Sequence, residues 1–342
     1  MSTSSQERWL AAWYGGRRWT YWLFPLNWLF RALTGLRRWW LCRFAQGRVA
    51  VPLLVVGNIT LGGTGKTPLL LALLEHLKAR GLNPGVISRG YGGSAPVYPY
   101  QLNPRSTAAE AGDEPLQIYQ QTGCPVVVGP DRLACARQLE QLGCDLILSD
   151  DGLQHYKLGR DLEIVVVDGE RGFGNGHCLP VGPLRESLSR LRQVDLLVVN
   201  GDLSKPLPEK SPSPYKMQLA PQRWRRLQDT APLPLDHFAP GTRLHAVAGI
   251  GNPQRFYTTL EALGLSPQPR SFPDHHAYTP ADLQFAEPLP LVMTAKDAVK
   301  CGGFAQADWY SLEVAARLPA EFWKVLDARL DLLLESSSQE HP

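Results

Sequence analysis

Short, unbroken apolar runs punctuate the first two thirds of this chain. They end at Val55-Val56-Gly57 and recur at Gly85-Val86-Ile87-Ser88, Val126-Val127-Val128, Leu146-Ile147-Leu148, Ile164-Val165-Val166-Val167 and Leu196-Leu197-Val198-Val199. Most are β-branched, and they do not alternate with polar residues as a half-solvated strand would. Helix-like stretches separate several of them, most clearly Leu69 to Arg80, Pro115 to Thr122 and Leu133 to Leu142. Strands apolar on both faces and alternating with helices predict an α/β fold with a doubly wound parallel sheet. Ligands of such sheets sit at the carboxyl ends of the strands. The polar clusters Arg89-Gly90-Tyr91, Gly129-Pro130-Asp131-Arg132 and Asp150-Asp151-Gly152 fall there.

The pattern changes after residue 201. Prolines recur at Pro206, Pro208, Pro212 and Pro214 and the periodicity fades, so residues 202–242 read as a linker with room for a short hairpin. A smaller second α/β domain is expected over 243–335. It has strands at Leu244 to Gly249 and Leu291 to Thr294, a helix from Pro253 to Leu263, and a closing helix from Ala320 to Leu334. The polar tail, 336–342, is expected to fray.

The N-terminus carries a different period. Trp22, Leu26, Leu29, Leu33, Leu36 and Trp40 step by four and three residues, which draws one apolar stripe on a helix. Asn27, Arg31, Thr34 and Arg38 fall opposite, and Pro25 is tolerated if the helix begins there. The longest charge-free run, Trp19 to Phe30, is 12 residues, too short for a membrane span of about 20.

Charge sharpens this picture. Residues 1–48 hold eight Arg, no Lys and one acid, a net +7 that leaves −4 for the rest of a chain whose total is +3. Seven of the ten tryptophans lie in the same segment. A Trp-rich face with arginines opposite predicts a helix lying in the interface of an anionic membrane rather than one docked on the core. The arginines also interrupt any signal-peptide pattern. The six cysteines are scattered without a CxxC pair, so they read as reduced packing residues in a cytoplasmic protein.

The stretch Thr60-Leu61-Gly62-Gly63-Thr64-Gly65-Lys66-Thr67 follows the first apolar run and opens a helix, which is the layout of a phosphate-binding P-loop. Backbone N–H groups and the helix N-terminus would cradle phosphate, Lys66 would reach the β- and γ-phosphates, and the Thr67 hydroxyl would ligate Mg²⁺. Thr60 stands where the usual spacing has glycine. Asp150-Asp151 ends a strand, as the metal-holding acid of such sites does, and either carboxylate could be the direct ligand. Asp113 reads as the N-cap of the helix that follows it. Asp274-His275-His276 offers an Asp–His pair more suited to tuning a proton acceptor than to holding metal.

Taken in order, these strings resemble the tetraacyldisaccharide 4′-kinase family. The resemblance rests on the P-loop, Ser88-Arg89-Gly90-Tyr91-Gly92, Gly112-Asp113-Glu114-Pro115, Ser149 to His155, Leu179 to Glu186, Ala248 to Pro253, Phe272 to His276 and Thr294 to Lys300. Two departures are Ala295, where an acid is expected before Lys-Asp, and Val181, where Ala is expected. The resemblance implies a P-loop NTPase-like kinase domain over 49–201, and transfer of the ATP γ-phosphate to the 4′-hydroxyl of a tetraacylated glucosamine disaccharide 1-phosphate in lipid A biosynthesis. It implies ATP and Mg²⁺ at the site, no nucleic-acid partner, and a location at the cytoplasmic face of a Gram-negative inner membrane. Carried over by motif, Asp113 accepts the sugar hydroxyl proton with His275 as its partner (His276 is the other candidate). Thr67, Asp150 and Glu186 form the Mg²⁺ shell, and Arg89, Tyr91, Asp151 and His155 are active-site contacts. Two other classes share the P-loop: a nucleotide-driven assembly or targeting factor, and a membrane-surface binding protein with a structural nucleotide. Thr294-Ala295-Lys296-Asp297 resembles a base-specifying string of the former but lacks its spacer.

Overall fold

The computed structural model describes residues 3–340. Its strands are β1 (Leu53–Gly57), β2 (Pro84–Ser88), β3 (Tyr100–Gln101), β4 (Val126–Val128), β5 (Leu146–Asp150), β6 (Leu162–Asp168), β7 (Leu196–Asn200), β8 (Pro214–Arg226), β9 (Pro232–Leu233), β10 (Arg243–Ala248), β11 (Ser266–Ser271), β12 (Leu291–Thr294) and β13 (Trp309–Arg317). The helices are α1 (Thr3–Trp13), α2 (Phe24–Phe44), α3 (Lys66–Ala79), α4 (Ala108–Ala111), α5 (Asp113–Thr122), α6 (Arg132–Gln141), α7 (Pro253–Ala262), α8 (Ala295–Ala298) and α9 (Ala320–Glu340).

All thirteen strands join in one sheet, ordered β3-β4-β2-β5-β1-β6-β7-β8-β13-β12-β10-β11, with β9 paired to β8. The run from β2 to β7 is parallel, as the apolar runs predict. Alternation along β1 explains how both faces are filled. Leu54 and Val56 pack under α3, while Leu53 and Val55 face Ala136 and Leu139 of α6.

Two expectations are corrected, the role of the closing helix and the frayed tail. The 202–242 segment connects the halves as strand, with the short hairpin of β8 and β9. Residues Pro214–Met217 of β8 pair parallel with β7, and Gln218–Arg226 pair antiparallel with β13, so one strand carries both halves of the sheet. The prolines permit this by position. Pro214 is the first residue of the strand, and Pro221 lies where the register to β13 shifts between Glu313 and Val314. The closing helix α9 does not cap the second half. It returns to the first, burying Phe322, Leu326 and Leu330 beside α3 and stacking Trp323 on His76. Each of those buried side chains contributes roughly 2 kcal/mol. The helix also runs through Ser336 to Glu340, where the tail was expected to fray; residues 341–342 lie outside the described residues.

The N-terminal helices dock through Ala12, Phe30 and Leu41 and through polar residues. Asn27 of α2 is 1% exposed and donates to the carbonyls of Cys178 and Leu179. Trp13 Nε1 donates to Pro180 O at 3.1 Å, and Arg38 donates to Gln193. The apolar stripe faces outward: Trp22 is 89% exposed, and Leu26, Leu29, Leu33, Leu36 and Trp40 are all exposed. Among the described residues no helix is long and apolar enough to cross a membrane.

Candidate active site

The P-loop leaves β1 at Gly57 and enters α3 at Lys66. Its shape is fixed by side chains around it. Asn58 Nδ2 donates to Gly62 O at 3.2 Å, and Asn200 Nδ2, at the end of β7, donates to Thr64 O at 3.2 Å. The Arg185 N–H donates to Ile59 O at 2.7 Å, so the Leu179–Glu186 loop is laced to the P-loop. Gly65 needs its glycine twice over: φ is +94°, and a Cβ there would lie 2.6 Å from Asn200 Nδ2.

A cleft of about 300 Å³ opens over this loop. Gly63 to Pro68, Glu114 and Asn200 line one side. Gly251, Asn252, Asp274 and Lys296 line the other, so the two halves of the sheet share it. Thr60, Leu61 and Gly62 continue the loop outside this lining.

Lys66 Nζ lies 3.4 Å from Asp151 Oδ1, and Arg185 Nη1 lies 2.9 Å from Asp151 Oδ2. Burial alone would raise the Asp151 carboxyl, but Lys66 and Arg185 overcome it and hold the pKa down to about 2. Asp151 also has φ +46°, an uncommon conformation for a residue with a side chain. Its neighbour Asp150 is buried and aims elsewhere. Asp150 Oδ2 accepts from Ser88 Oγ at 3.2 Å, while Oδ1 has no partner. Burial, with Glu114 and Asp151 adding to it, pushes the Asp150 carboxyl up to about 7. A buried carboxylate oxygen without a donor, at the end of the strand beside β1, fits a divalent cation, and Thr64 Oγ1 in the P-loop is likewise buried and unpartnered. No group of three or more His, Cys, Asp or Glu side chains able to hold a metal is gathered among the described residues.

Glu186, expected in the metal shell directly or through water, is held by three neighbours. Gln154 Nε2 donates to Oε1 at 2.8 Å, Tyr156 donates its hydroxyl to Oε2, and Arg190 stands 3.7 Å away. Arg185 and Glu186 both contact Gln154 and both line a groove beneath α2, and Arg185 also reaches Asp151.

Asp113 is the first residue of α5, with Gly112 in the cap position, so the N-cap expectation shifts by one residue. Its Oδ2 lies 3.0 Å from His275 Nδ1. Burial would raise the Asp113 carboxyl, but the His275 hydrogen bond and the charges of Lys296 and Lys300 outweigh it and hold the pKa below the usual value. The same hydrogen bond holds the His275 imidazole above its ordinary value, against burial. Tyr91 packs edge-on against His275, with ring centroids 5.2 Å apart. His276 faces away, toward Asp282 at 3.4 Å, which answers the choice between the two histidines geometrically. His155 is held down to about 4 by burial and then by Arg132 and Arg89, so its imidazole is neutral. Arg89 itself is exposed.

Sequence reasoning passed over four residues here. Lys296 Nζ contacts Glu114 at 2.9 Å, Asp274 at 3.2 Å and His275 Nε2 at 3.4 Å. Lys300 Nζ lies 2.9 Å from Asp297 and 4.0 Å from Asp113. Asp297, wholly buried, also accepts from the Gly249 N–H and the Thr294 hydroxyl, so this acid is spent inside the second half and does not present itself to a base. Arg132 donates to Asp150 O at 3.0 Å from a buried position. The signal for the two lysines was their spacing of four residues with Asp297 between; Lys296 lies in α8 and Lys300 just past its end.

Comparison with known proteins is consistent with this geometry. The family model described as tetraacyldisaccharide-1-P 4′-kinase matches residues 19–331. The tetraacyldisaccharide 4′-kinase of Pseudomonas aeruginosa (strain LESB58) is 50% identical over 97% of this chain and 99% of its own. That of Hahella chejuensis is 46% identical over 94% and 96%. Among solved structures, the "apo" form of LpxK from Aquifex aeolicus in complex with ATP superposes with a TM-score of 0.74 at 26% identity. The match covers 91% of this chain and 99% of that one.

Proposed function

The chain belongs to the tetraacyldisaccharide-1-P 4′-kinase family, and from that premise we propose a role for each residue of the cleft. The protein is an ATP-dependent kinase of lipid A biosynthesis that phosphorylates the 4′-hydroxyl of a tetraacyldisaccharide 1-phosphate. ATP lies with its phosphates on the N–H groups of Gly62 to Thr67. Lys66 leaves Asp151 for the β- and γ-phosphates, and Asp151 and Arg185 remain paired beside it. Thr67 and Asp150 would hold Mg²⁺, which when bound neutralises phosphate charge. Asp113 accepts the hydroxyl proton late in transfer, and His275 orients the carboxylate and shares its charge. Arg89, Tyr91 and His155 border the sugar.

The observation that carries this is the 3.0 Å Asp113–His275 contact, whose chain neighbours Glu114 and Asp274 line the same cleft as the P-loop. Phosphoryl transfer asks mainly for positioning and charge neutralisation, and a carboxylate beside the cleft supplies the proton acceptor.

The outward apolar stripe of α2 lies in the membrane interface, with the arginines drawn to anionic lipid. The supply of ATP puts this at the cytoplasmic face of a Gram-negative inner membrane. There the acceptor presents its sugar without leaving the bilayer, which would cost about 0.8 kcal/mol for each exposed CH₂.

The test is transfer of γ-labelled phosphate from Mg-ATP to detergent-dispersed tetraacyldisaccharide 1-phosphate, with wild type and Lys66→Ala side by side. Label in the lipid that is lost in the variant supports the reading. Label released only as inorganic phosphate, with or without lipid, overturns it.

A further inference from the structure

Lys296, the second residue of α8, lines the cleft with its ammonium group held by three acceptors. Nζ lies 2.9 Å from Glu114 Oε1, 3.2 Å from Asp274 Oδ1 and 3.4 Å from His275 Nε2. An ammonium has three N–H donors and no acceptor, so this set uses all three. The preceding residue is Ala295, so no carboxylate there competes for them. Burial would lower the ammonium, but the charges of Glu114, Asp274 and Asp113 outweigh it and hold the group above its ordinary value. Lys296 therefore stays a cation and can only donate.

That direction fixes the ring beside it. Toward Lys296, His275 Nε2 must accept, so it carries no proton. The other side of the ring has the opposite demand. Burial notwithstanding, the Asp113 carboxyl lies below its ordinary value, so it is ionised and Oδ2 can only accept. Nδ1, 3.0 Å away, must then carry the hydrogen. Any other protonation breaks a contact. The Nε2–H tautomer would set two acceptors against each other at the Asp113 side. The imidazolium would point an N–H at the ammonium, and Asp274 Oδ1, 3.8 Å from Nε2, is too distant to accept it. Of the other groups nearby, Tyr91 meets the ring by its edge, and Lys300 stands 4.0 Å from Asp113.

We infer that Lys296 is a positioning residue: it locks His275 as the neutral Nδ1–H tautomer, so that Asp113 faces a neutral donor and not a cation. The inference rests on the kinase reading above and gives the proton acceptor a second support. A carboxylate in contact with a full positive charge loses basicity. Lys296 keeps its charge on the far side of the imidazole, where it acts on Asp113 more weakly than a contact cation would. It also ties Glu114 of α5 to Asp274 after β11, so the contact that sets the tautomer spans the cleft.

The test is NMR of the histidine ring nitrogens in the isotope-labelled full chain at mildly alkaline pH, with His275→Asn to assign the signals. Wild type should show Nδ1 protonated and Nε2 bare. In Lys296→Met the ring should titrate at higher pH, because the Asp113 hydrogen bond that raises it then acts without Lys296 to oppose it. Lys296→Arg keeps the charge and should hold the ring closer to wild type. Phosphate transfer is followed alongside. The kcat of Lys296→Met should fall about tenfold or more, with the KM for ATP unchanged and part of the loss restored in Lys296→Arg. An Nε2–H tautomer in wild type overturns the inference, and those signals decide it even if Lys296→Met fails to fold. An unmoved ring titration in Lys296→Met overturns it too, as does a raised KM for ATP with the tautomer intact, which would make Lys296 a phosphate ligand. The NMR reading needs no turnover, so wild type that shows the Nδ1–H form yet transfers no phosphate overturns the kinase reading instead.

Discussion

His275 Nδ1 lies 3.0 Å from Asp113 Oδ2, and the two residues come from opposite halves of one sheet. Asp113 opens α5, beneath the parallel strands. His275 follows β11, the far edge strand, and holds φ +60° to reach inward. Lys296 and Lys300 close the same gap from α8 and its exit, pairing with Glu114 and approaching Asp113. The Asp113–His275 pair thus exists only where the two halves meet.

Replacing Asp113 by Asn keeps the shape and removes the charge. Phosphate transfer should fall by about 10² to 10⁴, while ATP affinity changes little because the P-loop is untouched. Single-turnover transfer with parallel nucleotide binding by calorimetry checks both halves. A variant that keeps near-wild-type turnover assigns the proton to another group.

The pH response follows from the same contact. The hydrogen bond from His275 lowers the Asp113 carboxyl, so His275→Ala should raise it and move the acid limb of kcat/KM to higher pH. Stability has its own sign. The raised imidazole contributes fully below its free value of 6.5 and is lost as pH rises through the higher folded value. The lowered carboxyl contributes above 3.8 and is lost as pH falls. The pair therefore stabilises most between those two values. Melting wild type and His275→Ala across this range should show the largest gap there and a narrowing gap on either side.

Asp297 is buried with Lys300 as its cation. Lys300→Met should leave that charge uncompensated and cost about 3 to 5 kcal/mol. Adding Asp297→Asn removes the stranded charge, so the double variant should be more stable than Lys300→Met alone. Denaturant unfolding of the full cycle measures this coupling. Strict additivity would show that the pair is not interacting.

Gly65→Ala forces a side chain into φ +94° and against Asn200. The loop should lose its cradle, and nucleotide affinity should drop by at least about tenfold, since a left-handed residue costs about 1 to 2 kcal/mol before any clash. Fluorescent nucleotide titration reads the loss. Unaltered affinity would show that the loop tolerates another path.

Leu29 and Leu33 point outward from α2, at 55% and 58% exposure, and touch no catalytic group. Leu29→Glu/Leu33→Glu should weaken partition into anionic vesicles by more than tenfold, because each buried leucine is worth roughly 2 kcal/mol. Folding and ATP binding should be unchanged. Vesicle flotation in low and high salt separates this apolar loss from the arginine attraction, which salt screens.

Much of this was legible along the chain. The runs that became β1, β2, β4, β5, β6 and β7 announce themselves because both of their faces are buried. The P-loop reads directly from Gly65-Lys66-Thr67. What escaped lacks periodicity for a physical reason. β11, Ser-Pro-Gln-Pro-Arg-Ser, is an edge strand whose residues are largely exposed, so prolines and polar groups are tolerated where an inner strand could not take them. β8 hides behind prolines at its start and its bulge. Lys296 and Lys300 lie far from Asp113 along the chain, and only β10, β12 and β13 carry them to it.

The double membership of β8 has a consequence for the chain as an object that can be cut. A fragment ending at residue 201 would strip β7 of its outer neighbour and α3 of its cover from Phe322, Leu326 and Leu330. A fragment beginning at residue 243 would leave β13 bare along the whole length that β8 now occupies. Each piece would offer a long row of unsatisfied N–H and C=O groups, a template for pairing with copies of itself. The two halves are not modules that were joined but a single weave, and its natural failure on cleavage is precipitation.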